Sequence, residues 1–146
     1  MDTEKYSNGP CPVGRGLTHV GDAWSMLILR DAGGGMTRFD QFQKNLGIAP
    51  NILTRRLTAL VEGGLLERHR YSQHPPRDEY LLTEAGRDFL PVLFAFGAWG
   101  ARHFGDAPVS HLVEKSSGAS VEAIVVDRAT GAPLSGLDLR IVQPGA

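Results

Sequence analysis

The stretch from 49 to 82 leaves this chain the fewest ways to fold. It begins APNILTRRLTALVEGG. Pro50 suits the first turn of a helix, where a missing amide proton costs nothing, and Gly63-Gly64 suits its end. Leu53, Leu57, Leu60 and Val61 recur at helical spacing and form one stripe that must be buried. Asn51, Thr54, Arg55, Thr58 and Glu62 share another side, with Arg56 on its flank. That side is short-chained apart from its arginine and glutamate, so the helix could approach a groove closely; an ordinary solvated face would look the same. LLERHRYSQHPPRDEYLL follows, read as strands over 65–71 and 79–82 joined by a turn over 72–77. Both prolines then fall at the tip, where no ladder donor is needed.

The flanking sequence supplies cover for the stripe. Pro12 can open a helix running through Val20, after a polar, flexible arm over 1–10. Asp22 can cap a helix carrying Trp24, Leu27, Ile28 and Leu29, stopped by Gly33-Gly34-Gly35. Thr37 can cap a short helix with Phe39, Phe42 and Leu46 on one side, ended by Gly47. Past the hairpin, Thr83 can cap the longest helix, over 84–104, which Pro91 should kink or restart. Its middle, FLPVLFAFGAW, is apolar all round, so both sides need burial. A second copy related by a two-fold axis would cover the outer side; a central helix wrapped by its own domain is the alternative. Beyond Gly105, segments 121–127 and 137–143 are β-prone and flank a turn over 129–133, so an additional hairpin is expected.

With 146 residues, 42% hydrophobic and 21% charged, the chain can bury one core with a small appendage. The net charge of −1 gives no global reason for a nucleic-acid partner, but its distribution does. Residues 38–78 carry seven Lys or Arg against four Asp or Glu, a balance of +3, whereas 105–146 carry three against five, a balance of −2. A single cysteine, Cys11, excludes an intrachain disulfide and suits a reducing compartment. The longest apolar run, 89–99, is about half of what a bilayer span needs, and no charged-then-apolar leader begins the chain, so a cytoplasmic protein without membrane contact is expected. No enzyme is expected. The five histidines have no metal-ligand spacing, the triple glycine follows a helix rather than cradling phosphate, and a Cys11–His19 pair lacks a third orienting group. No cofactor is implied.

In order along the chain stand Cys11-Pro12-Val13, DAWSMLILRD around Trp24, Arg38-Phe39, Ile48-Ala49-Pro50 and Leu53-Thr54-Arg55-Arg56-Leu57. They are followed by Gly64-Leu65-Leu66-Glu67-Arg68, Pro75-Pro76-Arg77 with Glu79-Tyr80, Leu82-Thr83-Glu84-Ala85-Gly86, Pro91-Val92-Leu93 and Trp99. Over roughly 11–104 this set resembles the HxlR-type winged-helix regulators, relatives of the MarR repressors. The resemblance implies a mainly α fold with a little β: a winged helix-turn-helix of three core helices and a two-stranded wing, with a long C-terminal dimerisation helix. The domains expected are the arm 1–10, the DNA-binding and dimerisation domain 11–104, and a β-rich extension 105–146.

The family consists of homodimeric DNA-binding proteins, so the implied function is a sequence-specific transcriptional regulator, a repressor in the first instance, acting on a double-stranded operator. Helix 50–62 would lie in the major groove, and the wing 66–82 would run along the backbone or minor groove. Two departures stand out. The family usually has serine where this chain has Ala49, and losing a hydroxyl cap costs roughly 0.5–2 kcal/mol. Members with such tails often carry zinc-ribbon cysteines, but here the matching positions are Ser117, Asp127 and Thr130, so no metal site is expected.

Within this frame Arg55 and Arg56 can each make a bidentate bond to guanine, Asn51 can read adenine or hold a phosphate, and Thr54 and Thr58 suit a thymine methyl or a phosphate oxygen. Thr37 and Arg38 are expected to hold backbone phosphates through free amides and charge, with Arg77 and Arg70 adding non-specific affinity from the wing. Cys11 is a candidate sensor of oxidants or electrophiles, with Arg15 one turn away supplying positive charge; a cysteine that only packs is the alternative. Trp24, Phe94, Phe96 and Trp99 are candidates for a small-molecule pocket or for dimer core. The competing functional readings are a winged-helix module that binds protein and a ligand-responsive sensor dimer that does not itself read DNA.

Overall fold

The computed structural model describes residues 4–145, in two units divided between Leu90 and Pro91. The first contains α1 (Glu4–Ser7), α2 (Pro12–Val20), α3 (Ala23–Gly33), α4 (Phe39–Leu46), α5 (Pro50–Glu62), β1 (Leu66–Gln73) and β2 (Pro76–Leu82). The start of α6 (Glu84–His103) also belongs to it. Its core is the expected set of stripes: Ile28 and Leu29 from α3, Phe42 from α4, Leu53, Leu57 and Leu60 from α5, with Ile48 and Leu66, all buried. Three helices thus close around one another, and the hairpin seals the end of the core through Leu66.

Local chemistry sets the ends of these elements. Pro12 and Pro50 stand in the first turns of α2 and α5. Asp22 caps α3, its Oδ1 accepting the Ser25 amide at 2.8 Å and its Oδ2 the Ser25 hydroxyl at 2.6 Å. Gly47 closes α4 in the left-handed conformation, φ 63°, where a side chain would be strained. The α5 cap is Ala49, with no side-chain bond, as the missing serine implies. Asp31, buried in α3, accepts the Asn45 amide at 2.8 Å and pairs with Arg30 at 2.9 Å, which fastens α3 to α4.

Three expectations need correction here. Thr37 does not cap α4. The cap position is Arg38, and Gln41 folds back to take the Thr37 and Arg38 amides, both at 3.0 Å, a reach that only a long amide side chain has. The hairpin strands are longer than expected, extending to Gln73 and back from Pro76, because Pro76 begins its strand, where an amide is not needed, and a register shift after Arg70 absorbs Tyr71. The expected arm contains a helical turn, α1, whose Tyr6 lies so close over Gly14 that an added Cβ would come within 2.8 Å of its ring. Residues 1–3 lie outside the described part.

The start of α6 is fastened to the end of α5 and the base of the hairpin. Thr83 accepts the Gly86 amide at 3.2 Å, as expected of a cap, and donates its hydroxyl to the Gly64 carbonyl at 2.5 Å. Gly86 is buried against the Leu65 carbonyl, so that any Cβ would collide with backbone. The helix passes through Pro91 without restarting.

The second unit contains the rest of α6, β3 (Leu112–Val113), β4 (Ser120–Val121) and a 3-10 turn at Leu134–Gly136. An extra hairpin is present, but not between the segments expected. β3 pairs antiparallel with β4, a single bridge joins Val126 to Pro133, and 137–143 forms no strand. Two turns of the same construction explain this. In EKSSGA (114–119) and DRATGA (127–132), Ser117 donates its hydroxyl to Glu114 at 2.6 Å and Thr130 donates to Asp127 at 2.7 Å. The Gly118 and Gly131 amides return to the carbonyls of Glu114 and Asp127, each at 2.7 Å. The sequence reading found three of these four positions and missed Glu114. The carboxylate and hydroxyl of each turn satisfy each other, and neither is a soft donor, so the pair does not fit a thiolate-type zinc site.

Candidate nucleic-acid interface

The buried leucines of α5 fix which residues it turns outward. Asn51, Thr54 and Arg55 are exposed, and Thr58 is half-buried. Arg55 makes no ion pair among the described residues, so its planar five-donor head is available for bidentate bonding. Thr54 donates its hydroxyl to the Pro50 carbonyl at 2.9 Å, which uses that proton inside the helix and leaves the methyl and an oxygen lone pair. Arg56 differs from its neighbour. Its Nε is buried 3.5 Å from Asp22 Oδ1, an ion pair without a hydrogen bond, which draws the side chain toward the start of α3. Arg55 and Arg56, equivalent on the page of sequence, thus separate into an outward-facing and a partly inward-held arginine.

The wing stands beside the start of α4. Arg38 and Glu79 form a bridge, and the Tyr80 amide donates to the Thr37 carbonyl at 2.6 Å. Thr37 and Arg38 amides are already bonded to Gln41, so they are not the free donors expected, and any anion contact there falls to the Arg38 side chain. That guanidinium lies 4.6 Å over the ring of Tyr71, the residue displaced by the bulge. The sequence reading missed Tyr71, because the register shift that aims it at Arg38 has no local signature. Arg38, Tyr71, Arg77 and Tyr80 contribute to one groove of about 390 Å³. Arg70 pairs across the hairpin with Asp78 at 3.0 Å, which offsets part of its charge, whereas Arg77 is exposed near the tip and has no ion pair among the described residues.

Cys11 is exposed and caps α2, its Sγ accepting the Gly14 amide at 3.4 Å. Arg15, one turn on, donates its Nε to the Gly9 carbonyl at 2.7 Å. The four aromatic residues grouped from sequence divide between the two units. In the first unit Trp24 lines a cavity of about 240 Å³ with Ile52, Arg55 and Arg56. In the second, Trp99 packs at a tilt against Phe96, ring centroids 5.6 Å apart, and edge-on against Phe104 at 5.0 Å, and Phe94, Phe96 and Trp99 are all exposed. Among the described residues no cluster of His, Cys, Asp and Glu could hold a metal ion, and no helix is long and apolar enough to cross a membrane.

Comparison with known proteins converges on this geometry. The family model described as HxlR-like helix-turn-helix matches residues 19–107. The HTH-type transcriptional regulator Rv3095 of Mycobacterium tuberculosis is 50% identical over 88 residues, 60% of this chain; the match spans only 56% of that protein's length. Among solved structures, PA1607, described as a candidate transcription factor, is 42% identical with a TM-score of 0.85, covering 94% of this chain and 98% of its own. The redox regulator HypR in its oxidized form is 32% identical with a TM-score of 0.60, covering 66% of this chain and 100% of its own.

Proposed function

The chain belongs to the HxlR-like helix-turn-helix family, and on that premise we propose that it is a homodimeric transcriptional regulator that reads a double-stranded operator with α5. The observation that carries the proposal is the outer face of α5: Asn51, Thr54 and an unpaired Arg55 stand exposed on a helix whose opposite face is locked into the core. In this reading Arg55 makes the guanine contact, with Asn51, Thr54 and Thr58 beside it. Arg38 and Arg77 hold phosphates on either side of the wing groove, and Arg70 contributes less because Asp78 offsets it. Arg56 serves chiefly to fix α5 against Asp22. A protein-binding module would be better served by an acidic or apolar outer face than by this one.

The exposed apolar residues after Pro91 support a dimer. Large apolar side chains along the second part of α6 are exposed rather than buried by their own unit. Val92, Phe96 and Trp99, with Phe104 just past the helix end, are among the exposed large apolar residues, and they make the second part of α6 the natural surface for a second copy.

The test is binding to operator DNA recovered by genomic footprinting. Arg55→Ala should weaken binding to that site by about 1–3 kcal/mol, roughly 5- to 150-fold, with the oligomeric state unchanged. Unchanged affinity would remove Arg55 from the readout, and absence of any salt-dependent DNA binding by the parent chain would remove the reading itself.

A second reading concerns the signal. The exposed Cys11 thiol at the start of α2 favours a redox-responsive regulator, a role that HypR's description assigns to that protein. Mild peroxide or quinone treatment should then change operator affinity in the parent chain and leave Cys11→Ser unaffected. An equal response from both would assign the effect elsewhere.

A further inference from the structure

Segment 137–143, LDLRIVQ, has the composition of a strand and the environment of none. Every residue in it is exposed, Leu139 by 62% and Ile141 by 88%, and among the described residues no backbone hydrogen bond reaches 138–143. Leu137, Leu139 and Ile141 alternate with Asp138 and Arg140, so an extended conformation puts three large apolar side chains on one face and two opposite charges on the other. Leu137 already has extended backbone angles, φ −105° and ψ 142°. Left bare, such a strand is a template for aggregation.

The pattern is complementary to itself. In an antiparallel pair of two such segments centred on Leu139, Asp138 faces Arg140 of the second copy and Arg140 faces its Asp138. On the opposite face Leu137 meets Ile141, Leu139 meets Leu139, and Ile141 meets Leu137. Other arrangements lose this match. Centring on Asp138 or Arg140 puts like charges opposite each other, a one-residue slip sets charge against leucine, and a parallel in-register pair aligns like charges side by side. The charge pattern therefore selects one orientation and one register, and both belong to a two-fold axis.

We propose that 137–141 pairs with its counterpart in a second copy of this chain, as an isologous two-stranded ladder centred on Leu139. This contact is additional to the one proposed for α6, and it gives the extension a role in assembly that needs neither metal nor ligand.

The experiment is site-directed disulfide trapping in the full chain carrying Cys11→Ser, with α6 intact. Leu139→Cys places two thiols directly opposite each other, within the Cα separation a disulfide accepts; Asp138→Cys or Arg140→Cys alone places them two residues out of step, beyond it. Under mild oxidation Leu139→Cys should crosslink at least tenfold faster than either neighbour, and an equimolar mixture of the Asp138→Cys and Arg140→Cys chains should crosslink with each other. Adding Arg140→Asp to Leu139→Cys should slow the crosslink, and further adding Asp138→Arg should restore it. Equal rates at 138, 139 and 140, or no recovery on the charge swap, would overturn the ladder. Light scattering under reducing conditions on the Arg140→Asp chain, which lacks the ladder, reports whether the α6 dimer survives by itself, so failure of one contact is distinguishable from failure of the other.

Discussion

At the scale of single residues, identity alone could not separate Arg55 from Arg56. Both are arginines on the edge of one helical face, and the distinction comes from Asp22, 34 positions earlier, which reaches the Nε of Arg56. Tyr71 makes the same point. Nothing near it in sequence announces that a bulge will turn its ring under the Arg38 guanidinium. A stacked guanidinium is held in one orientation, which lowers the ordering cost when it meets a phosphate. Tyr71→Ala should weaken DNA binding by about 0.5–1 kcal/mol, two- to fivefold, and Tyr71→Phe should not. In a double-mutant cycle with Arg38→Ala the two losses should be less than additive. Full additivity would mean that Tyr71 acts on DNA or on the fold independently of Arg38. By contrast, the caps at Asp22 and Thr83 were legible from sequence, because a cap is a local bargain between a side chain and amides two or three residues on.

At the scale of elements, punctuation by proline and glycine carried far. The bounds of α2 and α5 agree with Pro12, Pro50 and the glycines that follow each helix. The extension misled for a physical reason: β-propensity identifies residues that suit a strand but not which strand they pair with. There the ordering force is the pair of acid–hydroxyl turns, whose repeat, EKSSGA and DRATGA, carries no signal of hydrophobic periodicity. The second turn gives a pH prediction. The Thr130 hydroxyl, and then its backbone amide, hold the Asp127 carboxyl below its ordinary value of 3.8. A lowered folded-state value means that the contribution is present above the ordinary value and is lost as pH falls through the lowered one. Hydrogen-exchange protection of the Thr130 and Ala132 amides should therefore fall on acidification through that range. Thr130→Val should remove it already at neutral pH, while the first unit is unchanged. Protection that ignores both changes would show that the turn is held by backbone bonds alone.

At the scale of the whole molecule, the all-apolar middle of α6 argues from sequence for a second copy, and Phe96 and Trp99 are exposed. Trp99→Glu puts a charge into the centre of the proposed contact, where an unpaired carboxylate cannot be buried cheaply. In a chain that also carries Arg140→Asp, which removes the 137–141 ladder, light scattering should report a shift to monomer, with the melting of the first unit preserved. Operator affinity should drop by more than tenfold, because two half-sites are no longer engaged by one particle. A dimer that persists would place the contact elsewhere.

The Leu65 carbonyl stands where three elements join. It receives the Thr83 amide at 3.1 Å and leaves no room for a side chain at Gly86, while the Gly64 carbonyl beside it takes the Thr83 hydroxyl. The end of the reading helix, the root of the wing and the first turn of α6 meet at that vertex, and it has no adjustable part. Over evolutionary time the outward face of α5 can be rewritten to suit a new operator, and α6 can be rewritten to suit a new partner surface. The vertex between them has no room for a side chain at Gly86, so on the proposed reading the two surfaces can vary on either side of one fixed joint.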